Sequence, residues 1–283
     1  MGPLTLTPHP DRASLLAAAG AWLEAHEAEH NLLLGILGGA APGADVLLAD
    51  VSRGGAVALV VALPAPPRGL MLSRTELPDV APLLLDALAA RGIHTLPAVS
   101  GPVDVAAAFA DAWRLRTGAS PSRVMEQRIY ALTAVVPPRP APGFLRVATD
   151  ADLDLVCDWA LAFATEADVM PAQRDGVIAR ARQQTAAGNF FLWDDGGPVS
   201  MAGTARLTRH GAVVSTVYTP PALRGRGYAS SCVAAWSERQ LAAGRRFCCL
   251  YADKANPTSN GIYAAMGYAP VADAVHFSYD APA

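Results

Sequence analysis

The sequence predicts an α/β chain built from two similar domains. Three observations carry that expectation. A proline-rich stretch, Val135 to Gly143, divides the chain near its middle, and the same order of helix and hairpin signals appears on both sides of it. The second half also contains a β-branched strand that runs through a glycine-bearing loop into a helix. With 283 residues, of which 52% are apolar, the chain can fill two cores on a prior of roughly 100 to 200 residues per domain.

Each element follows from local chemistry. Pro10-Asp11 precede a pattern that puts Leu15, Ala19, Trp22 and Leu23 on one helical face, and Thr149-Asp150-Ala151-Asp152 is a capping-box start to a helix bearing Leu153, Val156, Cys157 and Ala160. A hairpin follows in each half. Leu47 to Asp50 turns through Ser52-Arg53-Gly54-Gly55 into Ala56–Val60, and Phe191-Leu192-Trp193 turns through Asp194-Asp195-Gly196-Gly197 into Val199–Ala202. Between the halves, the prolines of Val135-Val136-Pro137-Pro138-Arg139-Pro140-Ala141-Pro142-Gly143 remove backbone donors and fix φ, so neither a helix nor a central strand continues there. This predicts a linker at 135–143 between domains at 1–134 and 144–283. The shared order, with little residue identity, points to a tandem duplication.

Composition narrows the partners. Twenty-two basic against 25 acidic residues, a net charge of −3, are too balanced and dispersed for a nucleic-acid groove or an anionic membrane surface. No apolar run reaches the ~18 residues of a membrane span. The start, Met1-Gly2-Pro3-Leu4-Thr5, lacks the basic and apolar runs of a signal peptide, so a cytoplasmic location is expected. Cys157, Cys232, Cys248 and Cys249 show no Cys-x-x-Cys spacing, and three of them sit in apolar stretches; buried thiols are expected, with neither disulfides nor a cysteine metal site.

The most informative run is Val213 to Thr219, then Pro220-Pro221-Ala222-Leu223-Arg224-Gly225-Arg226-Gly227-Tyr228-Ala229-Ser230. A helix follows with Ala229, Cys232, Val233 and Trp236 on its apolar face, ending at Gly244. A strand, a glycine loop and a helix start form an anion site, because unpaired backbone N–H groups point outward at the positive end of the helix dipole. Glycine permits φ above zero and lets the backbone approach a phosphate. By itself such a loop is a weak signal, since arginines and glycines also serve solubility.

Its spacing adds information: Arg-x-x-Gly-x-Ala from Arg224 to Ala229 resembles the acyl-CoA pyrophosphate loop of the GNAT superfamily of acyltransferases. Behind the apolar strand Phe247–Tyr251 come Asn256 and, seven residues later, Tyr263, the spacing of that family's CoA-binding asparagine and of the tyrosine beside the CoA sulfur. The resemblance covers 144–283 by motif and 1–134 only by element pattern. It implies two tandem GNAT-like domains, each a mixed, mostly antiparallel sheet flanked by helices. It also implies acetyl-CoA as co-substrate without a metal, held by Val217, Tyr218 and Thr219, by Arg224, Gly225, Arg226, Gly227, Tyr228, Ala229 and Ser230, and by Asn256 and Asn260. Tyr263 would protonate the departing thiolate. Glu166, with Asp168 close behind, lies where the family forms its acceptor cleft and would free a small-molecule amine for attack; a solvated carboxylate, with water as the base, is the plainer reading.

The first half departs from the family. Its corresponding segment, Met71 to Val80, has no glycine, so no CoA is expected there. Two other readings compete. His26-Glu27-Ala28-Glu29-His30 spells the zinc-protease motif, but Ile36 and Leu33 stand where a third histidine and a glycine would be needed, so chance is the better account. A non-catalytic acyl-CoA sensor would keep the loop yet have no need of Tyr263.

Overall fold

The two halves repeat one another element by element. The computed structural model describes residues 2–39, 44–77, 79–167 and 174–279. Its first half runs β1 (Leu4–Pro8), α1 (Arg12–Glu24), α2 (Asn31–Leu37), β2 (Leu47–Arg53), β3 (Ala56–Leu63), β4 (Leu70–Leu72), α3 (Val80–Ala89), β5 (Ala98–Pro102), α4 (Val103–Thr117) and β6 (Arg123–Leu132). The second half runs β7 (Phe144–Val147), α5 (Leu153–Glu166), α6 (Arg174–Ala186), β8 (Phe190–Asp194), β9 (Pro198–Leu207), β10 (Gly211–Tyr218), α7 (Tyr228–Ala242), β11 (Phe247–Asp253), α8 (Pro257–Ala265) and β12 (Ala269–Ser278). Pairing repeats as well. In each half three antiparallel pairs, β1-β2-β3-β4 or β7-β8-β9-β10, are followed by a parallel one, to β5 or β11.

Local chemistry explains the starts of these elements. Asp11 accepts a hydrogen bond from the Ser14 N–H (2.8 Å) and caps α1. Thr149 and Asp152 form the expected capping box, whose carboxylate also takes the Arg146 guanidinium and is thereby held well below the usual carboxylate range. The nearly unbroken apolar run of β3 reflects a sheet covered on both faces. Leu59, Val61 and Leu63 pack into one cluster with Phe109 and Trp113 of α4, while Val60 and Ala62 pack into another with Leu15, Ala19 and Leu23 of α1.

Packing partitions the chain discontinuously. One compact unit comprises 1–129, 252–255 and 271–283, and the other 130–251 and 256–270. The cut at 135–143 remains our proposal for dividing the sequence repeats; the spatial units differ because of β12. Its residues Ala274–Ser278 pair antiparallel with Pro102–Ala98 of β5, placing the end of the second repeat in the first unit. Residues 135–143 carry no helix or strand, yet they are fastened to the second unit. Ala141 N–H donates to Ser231 Oγ (3.2 Å), Trp193 Nε1 donates to the Pro142 carbonyl (2.8 Å), and Val136 N–H donates to the Met266 carbonyl (2.9 Å). Among the described residues no helix is long and apolar enough to cross a membrane.

Candidate functional site

Within the second unit, β10 and β11 are in parallel register from Gly211–Val213 against Phe247–Cys249, and the register stops there. Further along β10 the pairs Ser215–Gly203 and Tyr218–Met201 bracket a register shift, with one more residue on β10 than on β9. This is a β-bulge, a device that re-aims backbone and side chains. Thr216, inside it, has φ 53°, an uncommon conformation for a β-branched residue. Beside the bulge lies a cleft of about 670 Å³ lined by Val217, Tyr218 and Thr219.

The next turn supplies the cleft with donors. Pro221–Leu223 form a short 3₁₀ turn, then Gly225 (φ 77°) and Gly227 (φ 83°) adopt left-handed conformations. A Cβ on Gly225 would meet nothing within 4 Å, and one on Gly227 only ordinary contacts from 3.7 Å, so these positions need glycine for their backbone angle. Gly227 opens α7 with no side-chain cap; the first N–H bonding back to it is that of Ser231. Tyr228, Ala229 and Ser230 line the cleft in that uncapped first turn, where helix geometry leaves N–H donors unpaired and the dipole is positive. The Tyr228 ring is buried and its hydroxyl donates to Asp195 (2.7 Å), anchoring the start of α7 to the β8–β9 turn.

The opposite wall comes from α8. Asn256 caps it, accepting from the Ser259 N–H (3.0 Å), and lines the cleft together with Thr258, Ser259, Ile262 and Tyr263. Burial pushes the Tyr263 hydroxyl up to about 12, and its ring stands edge-on to Tyr268 at 5.9 Å. Among the described residues that hydroxyl has no hydrogen-bond partner. At the mouth, Arg224 joins three of the expected groups. Its Nη2 donates to Glu166 Oε2 (2.5 Å), its Nε donates to the Thr219 carbonyl (2.9 Å), and its guanidinium lies 5.8 Å from the Tyr218 ring centroid. Tyr218 donates a long bond (3.4 Å) to the same carboxylate, and burial, followed by the Glu166 charge, raises its pKa.

Twelve of the fourteen residues singled out in the sequence therefore share one cleft: Val217, Tyr218, Thr219, Arg224, Gly225, Gly227, Tyr228, Ala229, Ser230, Asn256, Tyr263 and Glu166. Arg226 and Asn260 stand apart from its lining. Arg226 reaches the Ala222 carbonyl (3.4 Å), and the Asn260 amide is engaged by the Tyr130 hydroxyl (2.9 Å) and the Asn256 carbonyl (2.7 Å). Asp168 lies outside the described residues. Phe163, Leu223, Val233, Thr258 and Ser259 line the cleft without having been singled out. The hydroxyls at 258 and 259, just after an Asn-Pro helix start, were the available signal in the sequence; the place of Phe163, one helical turn before Glu166, shows only in the fold.

In the first unit, His26 to His30 form a turn rather than a helix. The buried His30 donates from Nδ1 to the Leu23 carbonyl (2.9 Å) and accepts at Nε2 from the Arg74 N–H (3.3 Å), while Arg74 Nη1 donates to His26 Nε2 (2.7 Å). Both ring nitrogens of His30 are thus occupied by protein groups. All four cysteines are buried and free, and burial pushes the Cys232 and Cys248 thiols up to about 12.

Comparison with known proteins agrees with this architecture. Residues 195–276 match the family model described as FR47-like protein. No curated protein matches the sequence. Among solved structures, a GCN5-related N-acetyltransferase from Sphaerobacter thermophilus superposes with TM-score 0.62 at 15% identity, covering 100% of this chain and 98% of that one. A tandem GNAT protein from the clavulanic acid biosynthesis pathway gives 0.58 at 18% identity, covering 99% and 100%. An acetyltransferase of the GNAT family from Colwellia psychrerythraea gives 0.56 at 12% identity, covering 98% and 100%. The chain accordingly has the fold of these GNAT acetyltransferase structures, a tandem one among them, and its second half contains a segment similar to the FR47-like family.

Proposed function

We propose that this protein transfers an acetyl group from acetyl-CoA to the primary amine of a small molecule by direct attack, in the cytoplasm. The observation that carries this reading is a convergence on one cleft of the bulged end of β10, the uncapped start of α7 and the unpartnered phenol of Tyr263. The residues present suit a nucleotide thioester. A start to α7 without a side-chain cap, reached through two left-handed glycines, offers backbone donors and a positive dipole to a diphosphate. Val217 to Thr219 offer strand backbone to an extended amide-bearing arm, and Asn256 faces the same space.

Acetyl-CoA supplies an activated acyl group, and the protein's own groups have three tasks. Backbone donors at the β10 bulge polarise the carbonyl as the amine nitrogen attacks. Tyr263, still protonated at neutral pH, gives its proton to the sulfur as the carbon–sulfur bond breaks. A base takes one proton from nitrogen as the carbon–nitrogen bond forms, so the net proton traffic is one from nitrogen to sulfur. Glu166 is the candidate base, and its pairing with Arg224 means that Arg224 must turn away first. A sensor would bind acetyl-CoA and release no thiol. Thiol release from acetyl-CoA with a panel of primary amines tests the proposal, and amine-independent silence from a protein that binds acetyl-CoA would replace it with the sensor.

A further inference from the structure

The second unit holds another cavity, of about 150 Å³, between α5, α6 and strands β8 to β10. Its walls are Ala160, Phe163 and Ala164 of α5, Val177 and Ala181 of α6, and Phe190 of β8. Phe163 lines this cavity and the larger cleft alike. Thr216 lines it too, with the left-handed φ of the bulge, one residue before Val217 on the larger cleft. The bulge therefore has one cavity at its near end and the other at its far end, with a single aromatic side chain in the lining of both.

We propose that this smaller cavity seats the carbon skeleton of the acyl acceptor: a primary amine bearing one compact apolar group, up to about a six-membered ring, and no second cationic centre. The inference rests on the transferase reading and adds the chemical class of its acceptor. Size sets the upper limit, since an apolar cavity of about 150 Å³ holds a benzene-sized molecule. Charge sets the second condition. Among the described residues no aspartate or glutamate lines the cavity, and its only side-chain cation is Arg180. A polyamine or an amino sugar would bury further ammonium or hydroxyl groups there without carboxylates to replace their water. Some of the polar groups at the edge already pair with one another: Asn189 Nδ2 donates to Gln184 Oε1 (2.8 Å), and the Thr216 and Ser215 hydroxyls are in hydrogen-bond contact (3.1 Å). Neighbouring position along β10 lets an amine attached to such a group pass Phe163 towards the thioester while its skeleton stays behind.

The test uses the full chain with acetyl-CoA and three acceptors, cyclohexylmethylamine, methylamine and putrescine, read as thiol release. The wild-type protein is expected to favour cyclohexylmethylamine over putrescine by at least tenfold in kcat/KM, since one methylene in an apolar pocket already changes discrimination by roughly 10- to 200-fold. Ala164→Leu fills the cavity with a residue well suited to a helix. It is expected to lower the cyclohexylmethylamine-to-methylamine ratio of kcat/KM at least tenfold, with calorimetric titration of acetyl-CoA reporting on the integrity of the donor cleft. Putrescine used as well as cyclohexylmethylamine by the wild type would overturn the assignment without need of the variant. So would an unchanged ratio in an Ala164→Leu protein that binds acetyl-CoA. Absence of turnover with every amine, acetyl-CoA being bound, would instead remove the transferase reading, and this acceptor seat with it.

Discussion

A phenol serves as an acid only if it keeps its proton until the leaving group needs it. Burial of Tyr263 holds its pKa near 12, and among the described residues nothing competes for the proton. Tyr263→Phe should therefore lower kcat by roughly 10²- to 10⁴-fold while leaving acetyl-CoA affinity nearly unchanged, as thiol release and calorimetry would report. An equal kcat would take it out of the reaction. Glu166 is a less secure actor, because Arg224 already occupies it and both side chains are nearly half exposed, where an ion pair contributes little. If it accepts the amine proton, Glu166→Gln should depress the rate at neutral pH and let it recover as alkaline pH deprotonates the amine in solution; a superimposable pH–rate profile would assign the task to water. That pairing spans 58 residues of sequence, and nothing local to either residue announced it. His30 gives a stability prediction. Burial lowers its pKa from an ordinary 6.5 to about 4, so the unfolded chain binds the proton first and the neutral ring's contribution, complete above 6.5, is lost as pH falls towards 4. The linkage amounts to about 3 kcal/mol at most. Urea unfolding at pH 7 and pH 4.5 should show this loss in the wild type and a smaller one in His30→Gln; equal losses would place the titrating group elsewhere.

At the level of elements, turns and caps were legible and long-range geometry was not. The capping box at Thr149, the end of α7 before Gly244 and the loop before α7 each depend on residues within a few positions of one another. The bulge in β10 left no such trace. Val213 to Tyr218 read as an ordinary strand, because Thr216 is a good strand former whose left-handed φ is imposed by the surrounding sheet. The start of α7 carries its own prediction. Gly227→Val puts a branched side chain on a residue at φ 83°, costing about 1–3 kcal/mol of backbone strain, and crowds the approach to the first-turn donors. Acetyl-CoA binding should be lost while the circular dichroism spectrum remains that of the folded chain. Normal binding by a folded variant would move the diphosphate site away from α7.

Across the whole molecule the repeats share a plan and differ in what the plan can hold. The loop after β4 has no glycine; Ser73 Oγ accepts from the Val60 N–H (2.8 Å), and Arg74 is tied to His26. A calorimetric titration should therefore find one acetyl-CoA per chain, and a second equivalent of similar affinity would mean that the first repeat binds by other means. The shared opening helix and hairpin of each half could be read from the sequence, but the partner of β12 could not. The alternation in β12 suits any antiparallel neighbour, and only the folded chain shows that Ala274–Ser278 lie against β5. Seen from the ribosome, this pairing makes the final strand a late delivery. Ser100 and His276, hydrogen-bonded across β5 and β12, are 176 residues apart. At about 5–20 residues per second, translation leaves the emerging first repeat with one edge of β5 open for roughly 10 to 35 s. Throughout that interval the nascent chain must keep a bare strand edge from pairing with its neighbours on the polysome, a hazard that ends only once β12 has emerged to cover it.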